Sequence, residues 1–74
     1  MRDTRKMESI VVRDPDVMSG EPTFRGTRVL VRTLFEYLEG GHSLGRFLEG
    51  FPTVRREMAL QALDEAKQTL LANH

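Results

Sequence analysis

Arginine carries the chemistry this chain has to offer. Between residues 25 and 56 stand six arginines (Arg25, Arg28, Arg32, Arg46, Arg55 and Arg56) and no lysine, against three acids, Glu36, Glu39 and Glu49. That segment is locally +3. A guanidinium is planar, permanently charged and presents a rigid fork of donors. It therefore suits two-pronged contacts with phosphate, with carboxylate or with the edge of guanine. The net charge of the 74 residues is zero, because residues 1–24 carry −1 and residues 57–74 carry −2. The whole chain is thus not drawn to a polyanion. A basic middle beside a mildly acidic end can serve a local DNA contact, and the same charges can equally be ordinary solvated faces.

Other chemistries find little to work with. There is no cysteine, which removes disulfides and thiolate metal sites. His42 stands alone in a turn and His74 is terminal, so no histidine–carboxylate set has metal-binding spacing. Ser9 and Ser43 have no base near them in sequence. Asp14 and Asp16 flank Pro15, which is turn chemistry rather than an acid–base pair. Gly20 and Gly26 are separated by five residues and followed by Thr27, not lysine, so they do not form a phosphate-binding loop. The expectation is a protein that is not an enzyme and holds no cofactor or metal.

Length sets the scale. A chain of 74 residues forms one domain with a small core, and such domains often gain stability by pairing. A homodimer is expected. No apolar run reaches membrane-spanning length. Met1 to Lys6 is charged and no long apolar segment follows, unlike a secretory signal. With the lack of cysteine, this fits the cytoplasm. Residues 1–9 read as a flexible N-terminal segment, and 10–74 as a single domain.

The elements that must position the arginines are organised around Gly20-Glu21-Pro22-Thr23-Phe24-Arg25-Gly26-Thr27-Arg28. Two glycines permit positive φ, and Pro22 fixes its own φ and lacks a donor. The spacing predicts turn, short extended piece, turn. Phe24 should point inward, Arg25 and Arg28 outward, and Thr27 should cap its neighbours through its hydroxyl. Upstream, Ile10-Val11-Val12 is a β-branched run ending at Asp14-Pro15, a strand and a turn. Residues 14–20 read as a loop. The pieces 10–12 and 22–25 can pair as a ribbon, which must then be covered by helices or by the edge of a second copy.

Downstream the periodicity becomes helical. Val31, Leu34, Phe35 and Leu38 form one apolar face of a helix over 31–39, stopped by Gly40-Gly41. Ser43 is an N-cap for a short helix over 44–49 with Leu44, Phe47 and Leu48 inward. Phe51-Pro52 makes a corner, and Thr53 or Arg55 opens a third helix. Ala59, Ala62, Leu63, Ala66 and Leu70 share its inner face, with small residues that let another element approach closely. Met58, Leu60 and Leu71 lie partly off that face, at the surface or against another chain. The fold class is therefore mainly α: a small N-terminal β-ribbon, then three helices resembling a helix-turn-helix bundle of homeodomain-like or winged-helix-like form. In that layout the last helix reads DNA through its first turn, here Arg55 and Arg56, and Arg46 is placed to hold a phosphate.

Residues 10–14, then Gly20-x-Pro22-x-Phe24-Arg25-Gly26-Thr27-Arg28-Val29-x-Val31, Gly41-x-Ser43 and Phe51-Pro52, resemble the family numbered 433 among the domains of unknown function. The resemblance covers roughly residues 10–66. Three positions depart from its pattern: Leu30 stands where proline is usual, Thr23 where a more apolar residue is common, and Arg55 where serine or threonine begins the last helix.

That family resembles the antitoxin half of VapBC-type toxin–antitoxin pairs. The resemblance implies a DNA-binding antitoxin and autorepressor, with a PIN-like ribonuclease toxin as partner. Arginines offered to the toxin's acidic, Mg²⁺-binding site would neutralise it through charge-assisted hydrogen bonds. Which arginines serve toxin and which serve DNA stays open. The competing expectation is a homodimeric protein-interaction module that does not bind DNA.

Overall fold

The computed structural model describes residues 9–72. Two short strands, β1 (Val11–Val12) and β2 (Thr23–Phe24), precede three helices, α1 (Val31–Glu39), α2 (Leu44–Gly50) and α3 (Arg56–Ala72). The strands pair antiparallel with Val11 opposite Phe24 and Val12 opposite Thr23. Leu30 adds a single antiparallel bridge to Thr23 on the other side.

The Gly20–Arg28 stretch folds as its residue types dictate. Phe24 and Thr27 close a tight turn through the Thr27 amide and the Phe24 carbonyl at 2.9 Å. Gly26 sits at its third position with φ +79, a left-handed value that costs glycine nothing. Thr27 clamps the turn: its hydroxyl donates to the Phe24 carbonyl at 2.9 Å and accepts the Val29 amide at 3.0 Å. The Val31 amide then reaches the Pro22 carbonyl, so the hairpin hands the chain directly to α1. Leu30 takes φ −71 and ψ 134, values that proline itself holds, so the backbone at this position would accept a proline. Thr23 is buried, and its hydroxyl is met by the Val12 carbonyl at 3.4 Å.

Residues 14–20 are more ordered than a plain loop. Asp14 accepts the Asp16 amide, and a 3-10 turn spans Met18–Gly20. Met18 and Ser19 both take positive φ there, at 50 and 57.

The helix ends follow the sequence closely. α1 ends in a paired motif in which the His42 amide bonds the Tyr37 carbonyl and the Gly41 amide bonds that of Leu38, with Gly41 at φ +90. The Ser43 hydroxyl accepts the Arg46 amide at 3.0 Å and starts α2. Phe24, Leu34 and Phe47 are completely buried, joined by Val31, Val54, Ala59 and Ala62. Around Phe47 the rings of Phe24, Tyr37 and Phe51 gather, with centroids 6.1, 5.6 and 5.0 Å away. This cluster fixes α1 against α2 and anchors the turn into α3. The fully buried residues of α3 are Ala59 and Ala62, small enough to let its backbone come close to the others, with Met58 and Leu63 packed alongside.

One expectation fails on α3. Leu70 falls at the helical spacing of the inner face, yet it is 69% exposed. Full burial on that face stops at Ala62 among the described residues, and the helical period continues beyond it into solvent. Residues 1–8, most of the segment expected to be flexible, and residues 73–74 lie outside the described part of the chain. Ser9, the last residue of that segment, is held in place: its hydroxyl donates to Glu65 and its carbonyl accepts from Arg25.

Candidate nucleic-acid interface

Arg46 on α2, Arg55 in the turn and Arg56 at the start of α3 place three exposed cations on successive elements. Arg46 is the third residue of α2, with its backbone tied to the Ser43 cap and its side chain exposed. Phe51 closes α2 through its amide on the Phe47 carbonyl, and buried Val54 anchors the turn through its amide on the Phe51 carbonyl. Arg55 then occupies the cap position of α3, where its carbonyl accepts the amides of Met58 and Ala59 at 3.0 and 3.1 Å. Between the two expected openings of this helix, Arg55 rather than Thr53 takes the cap position. An arginine side chain has no acceptor to offer, so it cannot cap the amides as Ser43 does on α2. The first turn of α3 therefore keeps its partial positive charge, offset only by Glu57, with Arg55 and Arg56 beside it.

The six arginines of the basic middle divide by what they touch. Two are engaged in the fold. Arg25 grips the Ser9 carbonyl through Nε and Nη2 at 3.0 and 2.7 Å. Arg32 pairs with Glu21 at 3.3 Å and with Glu36 at 3.8 Å, in open solvent. The other four, Arg28, Arg46, Arg55 and Arg56, are exposed and have no side-chain hydrogen bond or ion pair among the described residues. Three of these lie along α2, the turn and the start of α3. Arg28 lies elsewhere, on the rim of a cleft of ≈ 350 Å³ shared with Val12, Asp14, Val17 and Thr27. Of the turn motif, Gly20, Pro22, Gly26 and Thr27 build the hairpin, and only Arg28 presents a charge outward.

Two residues with clear jobs carry no local signal in the sequence. Glu65, near the middle of α3, accepts from Ser9 and from the Ile10 amide, and Arg25 holds the same segment from the hairpin. Each of these bonds joins residues distant in sequence, which no short-range pattern can reveal. Among the described residues, no cluster of histidine, aspartate and glutamate could hold a metal ion, and no helix is long and apolar enough to cross a membrane.

Residues 11–66 match the family model described as "Protein of unknown function (DUF433)". The chain belongs to this family. The DUF433 match runs from β1 to Ala66, so it takes in the hairpin, α2 and the basic first turn of α3, and stops before Leu70 and Leu71. The chain is also similar to the uncharacterized protein y4eO of Sinorhizobium fredii (strain NBRC 101917 / NGR234), with 38% identity over 55 residues. Those residues cover 74% of this chain but 25% of y4eO, so the chain spans about a quarter of that relative's length. No solved structure matches.

Proposed function

We propose that this DUF433 chain is the cytoplasmic antitoxin of a type II toxin–antitoxin pair, binding a PIN-like ribonuclease toxin and, as a homodimer, its own operator DNA. One observation carries the DNA part. Arg46, Arg55 and Arg56 stand unpaired among the described residues, on two successive helices and the turn between them. In a helix-turn-helix the second of those helices enters the major groove by its N-terminal residues while the first crosses the backbone. Arg55 and Arg56 are then the base-reading candidates and Arg46 a phosphate contact. An arginine at a helix cap is a poor choice for stability, and a role in binding gives it a reason.

The toxin part rests on the family resemblance, with Arg28, on the hairpin cleft and unpaired among the described residues, as a cation available to an acidic partner. A gel shift of the full chain on DNA from upstream of its own gene tests the repressor reading. A retarded complex is expected, and the absence of any complex, with or without the adjacent gene's product, defeats it.

The alternative is a homodimeric interaction module without DNA binding. Exposed Leu60, Leu70 and Leu71 on α3 favour it as the second reading, because they suit a protein surface better than a nucleic acid.

A further inference from the structure

The exposed leucines of α3 are not scattered. Leu60 is 48% exposed, Leu70 69% and Leu71 60%. Together with Leu63, which is only partly covered by its own core, they follow one stripe along the flank of the helix. Leu60, Leu63, Lys67 and Leu70 are spaced three, four and three residues apart, the a and d positions of a heptad, and Leu71 borders them. The stripe borders the buried face made by Ala59 and Ala62: Leu63 and Leu70 lie at the edge of that face, and Leu60 and Lys67 on the open side. A second copy of the same stripe is its natural cover.

We propose that two copies of this chain pair through an antiparallel contact of their α3 helices along Leu60, Leu63, Lys67 and Leu70. The proposal rests on the homodimer reading above and names its surface.

Charge selects the direction. In a parallel pair Lys67 would face the second copy's Lys67 across the seam, like charge against like. In an antiparallel pair Leu60 meets Leu70 of the other copy, and Lys67 meets Leu63 and comes beside Asp64. Within one chain Lys67 already lies 3.4 Å from Asp64 in an exposed ion pair. Antiparallel pairing brings both lysines and both aspartates to the two-fold axis as a neutral group of four charges, each cation shared between two carboxylates. A single polar residue in an apolar seam also fixes register, because any slip places it against leucine alone. The ribbon does not compete for this role. Ser9 folds back on the Val11 amide, and α3 holds the segment before β1 through Glu65, which leaves a strand of two residues with its flank occupied. Arg46 and Arg55 lie outside the seam, so pairing leaves a basic end on each copy.

Cysteine cross-linking reads the pairing directly, since the chain has no cysteine of its own. Positions 60 and 70 lie on the order of 15 Å apart along one helix, too far for a disulfide within a chain. The full chain carrying Leu60→Cys with Leu70→Cys should form a covalent dimer under mild oxidation, and each single variant should not. Leu70→Cys alone cross-linking as readily as the double variant overturns the antiparallel arrangement. Lys67→Glu and Asp64→Lys should each weaken self-association by about tenfold in sedimentation, and the double reversal should restore it. These surface changes keep helical content, which circular dichroism verifies. A wild-type dimer insensitive to every one of these changes overturns the seam and leaves the homodimer standing. A wild-type chain that stays monomeric at high micromolar concentration removes both.

Discussion

Glu65 on α3 accepts the Ser9 hydroxyl at 2.6 Å and, through its other oxygen, the Ile10 amide at 3.0 Å. One carboxylate in the last helix therefore fixes where the first strand begins. Arg25 completes the clamp from the hairpin side by holding the Ser9 carbonyl, and its own amide bonds the Ile10 carbonyl at 2.7 Å. A two-stranded ribbon is unstable alone, and this clamp with the burial of Phe24 attaches it to the helices. Glu65→Ala should lower stability by about 1–2 kcal/mol, the range for charged hydrogen bonds discounted for partial exposure. It should also accelerate amide exchange at Ile10 and Val11 ahead of α1. Unchanged exchange at those two amides would show that the clamp does not hold the strand.

Gly26 has nothing within 4 Å of where a Cβ would sit, so space is not what excludes a side chain there. Its φ of +79 is. Gly26→Val should cost about 1–3 kcal/mol through backbone strain. Arg28→Ala, two residues on and unpaired, should stay within about 0.5 kcal/mol. Thermal melts of the two variants side by side check the turn, and a Gly26→Val melt at the wild-type temperature would refute it.

Leu30 offers a change in the opposite direction. Its φ suits proline, and the bridge to Thr23 is flanked by the Phe24 and Val31 amides, so the Leu30 amide is not used in it. Its side chain is not part of the core cluster. Leu30→Pro should stabilise by about 0.4–1 kcal/mol through the unfolded chain. Urea denaturation measures this, and a clear loss of stability would mean that the Leu30 amide or side chain matters more than the geometry indicates.

Local signals were legible in the sequence wherever neighbours within a turn or two decide the outcome. α1 spans the predicted 31–39, Ser43 caps α2, and Gly26 and Thr27 make the hairpin turn. What the sequence hid depends on distant partners. Leu70 matches the inner face by period, but period cannot say where burial ends. Arg25 looked like one more exposed cation, because Ser9 is brought to it only by the ribbon. Met18 and Ser19 take left-handed backbone without being glycine, so composition gave no cue. For the candidate site, the exposure of Arg46, Arg55 and Arg56 was legible. Their lack of partners was not, since Arg32, of the same type in the same segment, is paired.

The central claim is that Arg46, Arg55 and Arg56 meet DNA, and salt-dependent binding tests it most directly. Wild type, Arg46→Ala and Arg56→Ala are titrated onto upstream DNA and onto a scrambled duplex at several salt concentrations. A phosphate contact at Arg46 predicts weaker binding to both duplexes and a salt slope lower by about one unit. A base contact at Arg56 predicts a loss of about 1–3 kcal/mol on the upstream DNA and little on the scrambled one. Wild type binding neither duplex at low salt, even with its partner protein present, would contradict the account and leave the protein-only module in its place.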